Sequence, residues 1–319
     1  NNGVMKCCKG KENEVLDAGN CLTVSPVDGS TFYQPMDFLG RGGAGSSILM
    51  LRSDSIQPDF GQFIARAVQQ TCSKYSYGHM GNKDSIKRER VMLPVDDKGN
   101  PDYAYMTLYS AGARGGMLMR YKNFIAGQLS QLEHKDIPAL DKKKWDEFSV
   151  SSLFSKIQAT KGKTTAGLVD GDDLPYIAAA KSIIGCQVCS AEANDEWKSE
   201  GNGMVFVQLG DGAAGLAHYV PMAFIGMSGK TSVGYSDKLN LYTGLFIERC
   251  LSSNKSLFSH GHSWTGKRLL NTKVMLPVTD EGKPDYAYME QYAKNMMLRK
   301  YEQYLAFIDR QSSAEEVNV

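Results

Sequence analysis

Val91-Met-Leu-Pro-Val-Asp-Asp-Lys-Gly-Asn-Pro-Asp-Tyr-Ala-Tyr-Met106 returns further along the chain as Val274-Met-Leu-Pro-Val-Thr-Asp-Glu-Gly-Lys-Pro-Asp-Tyr-Ala-Tyr-Met289. The two stretches agree at 13 of 16 positions, at a constant offset of 183 residues. The same offset pairs Gly61, Phe63, Ile64 and Arg66 with Gly244, Phe246, Ile247 and Arg249. It also pairs Ser53-Asp54 with Ser236-Asp237, and Ser76, Gly78 and His79 with Ser259, Gly261 and His262. After a three-residue shift, Pro35, Met36, Phe38 and Gly40 match Pro221, Met222, Phe224 and Gly226. Solenoid units run to roughly 20–50 residues, so a period this long indicates a duplicated domain.

The register also describes the ends of the copies. Asn1-Asn2-Gly3 falls against Ile183-Ile184-Gly185, which leaves the first copy without a counterpart of about Trp145–Ser182. Either the chain is trimmed at its N-terminus or the element comes from elsewhere; trimming is the expected reading.

Each copy alternates two textures. Residues 1–95 and about 148–278 are rich in Gly, short apolar runs such as Met204–Val207, and turns such as Ser25–Gly29 and Gly210–Gly212. These read as short strands joined by turns. Short helices are expected at Phe63–Gln70 and Leu245–Leu251. Pro101 and Pro284 sit where longer helices would open, each followed by Asp. From Pro284 onward Leu298, Tyr301, Leu305 and Ile308 recur at 3,4,3 spacing, a coiled-coil-like seam. Met117, Tyr121, Phe124, Gln128 and Leu132 form a comparable stripe in the first copy. Glycine costs about 1 kcal/mol in a helix interior, so Ala111–Gly116 predicts a break there.

The resulting expectation is an α+β chain with two domains separated and joined by long helices. The divisions are 1–100 for a first domain that is N-terminally incomplete, 101–140 for a helical spacer, 141–283 for a second domain and 284–319 for a closing helix. Paired antiparallel, the helices would fix the distance between two domains able to read two separated stretches of a duplex.

Composition excludes several classes. The chain has 319 residues, 42% hydrophobic and 22% charged, as expected of a globular protein. No apolar run approaches the roughly 18–20 residues of a membrane span, and residues 1–20 lack the order of a signal peptide. Seven scattered cysteines suit a reducing, cytoplasmic compartment better than a disulfide framework. The 36 basic and 35 acidic residues leave a formal net charge of +1, so a nucleic-acid face has to come from local clustering.

Such clusters precede the repeated Val-Met-Leu-Pro segment in both copies. The first holds Tyr75, Tyr77, His79, Lys83, Lys87, Arg88 and Arg90, with Asp84 and Glu89 among them. The second holds Phe258, His260, His262, Trp264, Lys267, Arg268 and Lys273, with no acidic residue between. Lys and Arg neutralise phosphates, while Arg, His and aromatics reach base edges. The clusters diverge while their flanks match, as two readers of different sequences would; a solvated charged loop is the plain alternative.

Other chemistry is sparse. Cys186-Gln-Val-Cys189 lacks a second pair at zinc-ligand spacing, and the first copy offers only Cys7 and Cys8 near the equivalent place. The His260-Gly-His262 pair is not shared, and Asp285, Glu290 and Lys294 lie on one helix rather than on the paired strands of a nuclease. Gly40–Gly45 lacks the lysine of a phosphate loop. No nucleophile–histidine–acid set recurs, and the Asn/Asp-Pro-Pro-Tyr/Phe tetrapeptide of adenine-amino methylases is absent. The expectation is therefore no catalytic and no metal-binding residues.

The Leu-Pro-Val, acidic–Gly turn and Pro-Asp-Tyr-x-Tyr-Met pattern resembles the specificity subunits of type I and type IIB restriction–modification systems. Trp145-Asp-Glu-Phe148, Leu153-Phe154, Gly162-Lys163 and Leu174-Pro-Tyr-Ile177 look like the start of a target-recognition domain, and Gly244–Ile247 with Val274–Met289 look like its end. The likeness covers nearly the whole chain, although the first copy departs from it at the start. The resemblance implies two target-recognition domains reading a bipartite site in double-stranded DNA, with spacer helices paired as an antiparallel coiled coil. Adenine methyltransferase subunits that bind S-adenosylmethionine would dock on those helices, this chain would bind no cofactor, and any nuclease would belong to another subunit or domain. Carried onto this sequence, the readers are Tyr77, His79, Lys83, Lys87, Arg88 and Arg90, then His262, Trp264, Lys267, Arg268 and Lys273. Partner docking falls to Tyr105, Met106, Tyr288, Met289 and Tyr292. Two other classes stay open: a duplicated protein-binding scaffold, and an enzyme with an unrecognised site.

Overall fold

The computed structural model describes residues 15–40, 48–76, 78–162, 164–184, 186–210, 212–259 and 261–316. Asn1–Gly3, Cys7, Cys8, Arg41–Gly45, Tyr77, Lys163, Gly185 and His260, all used above, lie outside the described residues. The chain forms two compact units, Asn1–Phe124 and Ile125–Val319. The boundary between them falls inside a helix.

The first unit holds strands β1 (Cys21–Val24), β2 (Thr31–Gln34) and β3 (Leu49–Leu51), then helices α1 (Gly61–Cys72), α2 (Lys83–Lys87) and most of α3 (Tyr103–Leu129). The strands make an antiparallel sheet in the order β2-β1-β3. The Ser25–Gly29 turn joins β1 to β2, with the Gly29 N–H donating to the Ser25 carbonyl at 2.9 Å. Leu22 and Val24 from the sheet, Ala65, Val68 and Cys72 from α1, and Tyr75 and Ile86 beyond it form one buried cluster. Gly61 lies against the Tyr33 ring, where an added Cβ would stand 2.6 Å from ring carbon. Only glycine lets α1 approach that closely.

The expected break at Ala111–Gly116 does not occur; α3 runs unbroken from Tyr103 to Leu129. Glycine weakens a helix but keeps its N–H and C=O, so the hydrogen-bond ladder continues through it, unlike proline. The seam also moves. Met117 and Phe124 are exposed, and the less exposed positions include Leu118, Tyr121, Ile125, Gln128, Leu129 and Leu132. Met117-Leu118 and Phe124-Ile125 are adjacent apolar pairs, so two neighbouring stripes satisfy the same spacing in sequence.

The second unit opens with β4 (Trp145–Ser149), α4 (Val150–Leu153) and β5 (Lys156–Ala159). β6 (Asp170–Ile177), β7 (Val188–Cys189), β8 (Lys198–Ser199), β9 (Gly203–Val207), β10 (Ala217–Val220), β11 (Phe224–Gly226) and β12 (Thr231–Tyr235) follow. The unit ends with α5 (Leu241–Ser252), α6 (Gly266–Asn271), β13 (Lys273–Pro277) and α7 (Tyr286–Glu316). Its main sheet runs β10-β9-β12-β5, a second runs β7-β6-β11-β8, and β13 pairs with β4. Strand β9 is central and entirely buried, which explains its continuous apolar sequence. Met204, Phe206, Tyr219, Phe246, Leu251, Trp264 and Leu276 belong to its largest core cluster.

Several first-unit contacts recur here. Gly244 lies against Tyr219 as Gly61 lies against Tyr33. Tyr219 donates to Asn202 Oδ1 at 2.7 Å, and Tyr33 donates to Asn20 Oδ1 at 2.9 Å. Asn202 and Asn20 both hold a positive φ, at 53° and 47°. Along α7 the less exposed positions include Leu298, Tyr301, Leu305 and Ile308, the seam expected from spacing. Among the described residues no helix is long and apolar enough to cross a membrane.

Pro101 and Pro284 precede the helices by two residues, and the caps are the aspartates that follow them. Asp102 Oδ1 accepts from the Tyr105 N–H at 2.8 Å, and Asp285 Oδ1 from the Tyr288 N–H at 3.0 Å. Asp285 also holds Lys143 Nζ at 2.7 Å, both side chains mostly buried. Burial alone would raise the Asp285 carboxyl, but hydrogen bonds from Lys143 and the Tyr288 N–H, with the Lys143 charge, leave it below its ordinary value. A depressed pKa gives stability that is present above the ordinary carboxylate range and lost as pH falls through the folded value. Asp285→Ala should therefore cost about 2–3 kcal/mol at neutral pH, from the cap and the stranded Lys143. Asp102→Ala should cost about 1 kcal/mol for its cap. Denaturant unfolding at neutral and acid pH checks both, and the Asp285 penalty should shrink in acid.

Candidate nucleic-acid interface

In the second unit the basic cluster occupies the connection between α5 and β13. Ser259 and His262 close a tight loop through paired backbone bonds of 3.1 and 3.0 Å. His262 stacks on Phe258 at 6.1 Å, and α6 follows after Thr265. Leu269 packs inward, while Lys267, Arg268 and Lys273 are exposed. Arg268 is held in the loop by its Nη1–H, which donates to the Ser263 carbonyl at 2.6 Å.

These side chains surround a concavity of about 730 Å3 whose lining includes Phe258, His262, Lys267, Arg268 and Lys273. Glu147 from β4 is the acidic side chain in that lining, so three permanent cations face one carboxylate in a chain of net charge +1. Such a basin attracts polyanions and offers an aromatic floor, a histidine, and a guanidinium whose remaining donors can reach base edges. Asn254, Asn271 and Glu147 also line it, and sequence reading did not select them. Asn271 sits inside the second basic stretch and could have been included, whereas Asn254 lies upstream of it, just after α5. Glu147 arrives through the pairing of β4 with β13, for which the linear sequence carries no signal.

Trp264 was expected to read DNA, and the structure corrects this. The side chain is 0% exposed, stacks on Phe258 at 5.2 Å, meets Phe206 edge-on at 5.3 Å and donates from Nε1 to Thr272 Oγ1 at 2.9 Å. A tryptophan beside basic residues reads as a reader, but its N–H has an internal acceptor and its rings fill the core.

The first-unit cluster has the same frame. Ser76 and His79 pair as Ser259 and His262 do, and His79 stacks on Tyr75 at 5.9 Å. Tyr77 lies outside the described residues. His79, Lys83, Lys87, Arg88 and Arg90 are all exposed. Glu89 accepts from Lys74 at 2.6 Å and from the Tyr75 hydroxyl at 2.6 Å, which holds its carboxyl below the usual range. Its charge is thus engaged by Lys74 and does not offset the outward-facing cations.

The docking residues divide. Met106 and Met289 are fully buried and Tyr288 nearly so, hence core positions rather than surface. Tyr292 is partly buried against Phe246 at 5.5 Å, and Tyr105 is the exposed one of the five. Asp285 serves as a cap, and Glu290 is braced by Lys294 at 2.5 Å and Asn240 at 2.8 Å, so the carboxylate–lysine set is structural. Cys189 is buried and Cys186 partly so, and burial pushes the Cys189 thiol up. Among the described residues no group of three or more His, Cys, Asp or Glu could hold a metal ion.

The chain is 24% identical over 235 residues to the type II restriction enzyme BgcI specificity subunit S.BcgI of Heyndrickxia coagulans. This chain is similar to a restriction-enzyme specificity subunit. The match covers 73% of this chain and 65% of that relative's length. Among solved structures, the type I restriction–modification S subunit from M. genitalium matches with TM-score 0.43 and 12% identity, over 97% of this chain and 84% of that one. The HsdS subunit from Thermoanaerobacter tengcongensis matches with TM-score 0.33 and 13% identity, over 93% and 76%. No family model matches the chain.

Proposed function

We propose that this chain is the DNA-reading specificity subunit of a restriction–modification complex, without catalytic residues of its own. Each unit reads one half of a bipartite site, through His79, Lys83, Lys87, Arg88 and Arg90 in the first and His262, Lys267, Arg268 and Lys273 in the second. The observation that carries this reading is the concavity of the second unit, where three exposed cations and a histidine surround an aromatic floor in a nearly neutral chain. Phosphate contacts would position the duplex and the Arg268 guanidinium would contact base edges. Its similarity to a protein named as a restriction-enzyme specificity subunit supports the same reading.

In this reading α3 and α7 pair antiparallel and set the distance between half-sites, and their 3,4-spaced seams support that pairing. The exposed apolar positions of α3, Tyr105, Leu108, Tyr109 and Met119 among them, suit docking of methyltransferase subunits. Those subunits, not this chain, bind S-adenosylmethionine and methylate adenine, and any nuclease is also a separate subunit or domain. The complex acts in the cytoplasm.

The test is selection from a randomised duplex library by the chain co-purified with its methylating partner. Enrichment of two short blocks separated by a fixed gap is the expected result. A folded, intact complex that enriches nothing would instead favour a protein-binding scaffold.

A further inference from the structure

Among the described residues, Glu147 is the one acidic side chain lining the second unit's concavity, beside Lys267, Arg268 and Lys273. Its position follows from the β4–β13 ladder, in which Glu147 stands opposite Met275. The Val278 N–H donates to the Lys144 carbonyl at 3.0 Å, and the Val150 N–H to the Thr272 carbonyl at 2.9 Å. Bonded and non-bonded pairs alternate between those ends, so Glu147 and Met275 form a non-bonded pair with side chains close together on one face. Val274 and Leu276, on the other face, are 2% and 0% exposed. Met275 is 47% exposed and lines the concavity with Glu147. Trp145 stacks on Phe246 at 6.2 Å and Phe148 packs against the main core cluster, so β4 is anchored on both sides of Glu147. The Glu147 side chain is exposed, and among the described residues no hydrogen bond or ion pair engages its carboxylate.

A bare carboxylate is costly in a basin that collects phosphates, because it repels the polyanion that the cations attract. Duplex DNA offers it few favourable partners. Phosphate oxygens, guanine N7 and O6, adenine N7 and thymine O4 are all acceptors, as a carboxylate is. The donors in the major groove are the amino groups of adenine and cytosine. Adenine N6 stands between two acceptors, its own N7 and the thymine O4 across the pair. Cytosine N4 has an acceptor on one side alone, the guanine O6, and is the edge that suits a carboxylate best.

We infer that Glu147 is a specificity-determining residue of the second unit, its carboxylate accepting a hydrogen bond from the N4 amino group of a cytosine. The inference rests on the DNA reading proposed above and assigns one base of the half-site that this unit reads. The surrounding cations hold a duplex whatever its sequence. The carboxylate selects by turning other sequences away, since a guanine or thymine at that place sets an oxygen against it.

The test repeats the duplex-library selection on the complex with the methylating partner, using the unsubstituted chain, Glu147→Ala and Glu147→Gln. The unsubstituted chain is expected to fix a C·G pair at one position of one half-site. Glu147→Ala should relax that position roughly tenfold and strengthen binding to non-cognate duplex, with every other position kept. A glutamine both accepts and donates, as adenine N7 and N6 require, so Glu147→Gln should move the preference there toward adenine. The other half-site is the internal control for folding, since the first unit does not contain Glu147. Unchanged base preferences in both variants, in a complex that still enriches its split motif, would overturn the inference and leave the DNA reading standing. So would relaxation confined to a position held by an A·T pair. An unsubstituted complex that enriches nothing would overturn the DNA reading, and the cytosine contact with it.

Discussion

Trp264→Ala should cost the second unit about 3–5 kcal/mol and leave the first unit's stability unchanged. Truncating a buried tryptophan loses its transfer energy and leaves a cavity that neighbours fill only in part. Phe206 and Phe258 each lose their ring partner, and Phe258 also floors the basic concavity. Thr272 Oγ1 would keep its own bond to the Arg268 carbonyl at 2.7 Å, so no buried hydroxyl is orphaned. Trp264→Phe should therefore cost much less, about 1–2 kcal/mol, from lost volume and one hydrogen bond. Hydrogen exchange resolved by segment would separate the units, and protection in β9 and α5 should collapse for alanine alone. The phenylalanine variant should still recognise its half-site. Loss of recognition in a folded Trp264→Phe variant would restore the indole as a reader.

The contrast between Trp264 and Lys267 shows which signals a sequence carries. Spacing identified the frame because it is local: the Asp102 and Asp285 caps, the Ser25–Gly29 turn and the buried run Met204–Val207 each follow from a few neighbouring residues. Side-chain direction was less legible. Met106 and Met289 follow exposed-looking tyrosines in an amphipathic stretch, yet both turn fully into their cores. Along α3 the adjacent apolar pairs left two stripes equally good, and only packing selected Ile125 over Phe124. Glu147 and Lys273 face one basin because β4 pairs with β13 across more than a hundred residues, and no periodicity reports such a pairing.

Lys267→Ala with Arg268→Ala should abolish selection at one half-site and leave the other readable. Both side chains are exposed and line the same concavity, so their removal strands no buried charge. If each neutralises a phosphate, the salt dependence of binding should flatten by about two units of slope, since each contact contributes roughly 0.9. If Arg268 also contacts a base, specificity at one position should relax by about 1–3 kcal/mol beyond the salt effect. The singles separate these roles. Lys267→Ala should weaken all sequences alike, whereas Arg268→Lys keeps the charge but loses the planar fork, and should relax specificity while holding the slope. Arg268 also fastens the loop through the Ser263 carbonyl, so exchange protection around Ser263 must be followed in the same variants. Matched changes at Lys87 and Arg88 should affect the opposite half-site. Equal loss at both halves from either pair would mean that the two units do not read independently. The duplication would then serve a joint surface instead of two separate readers.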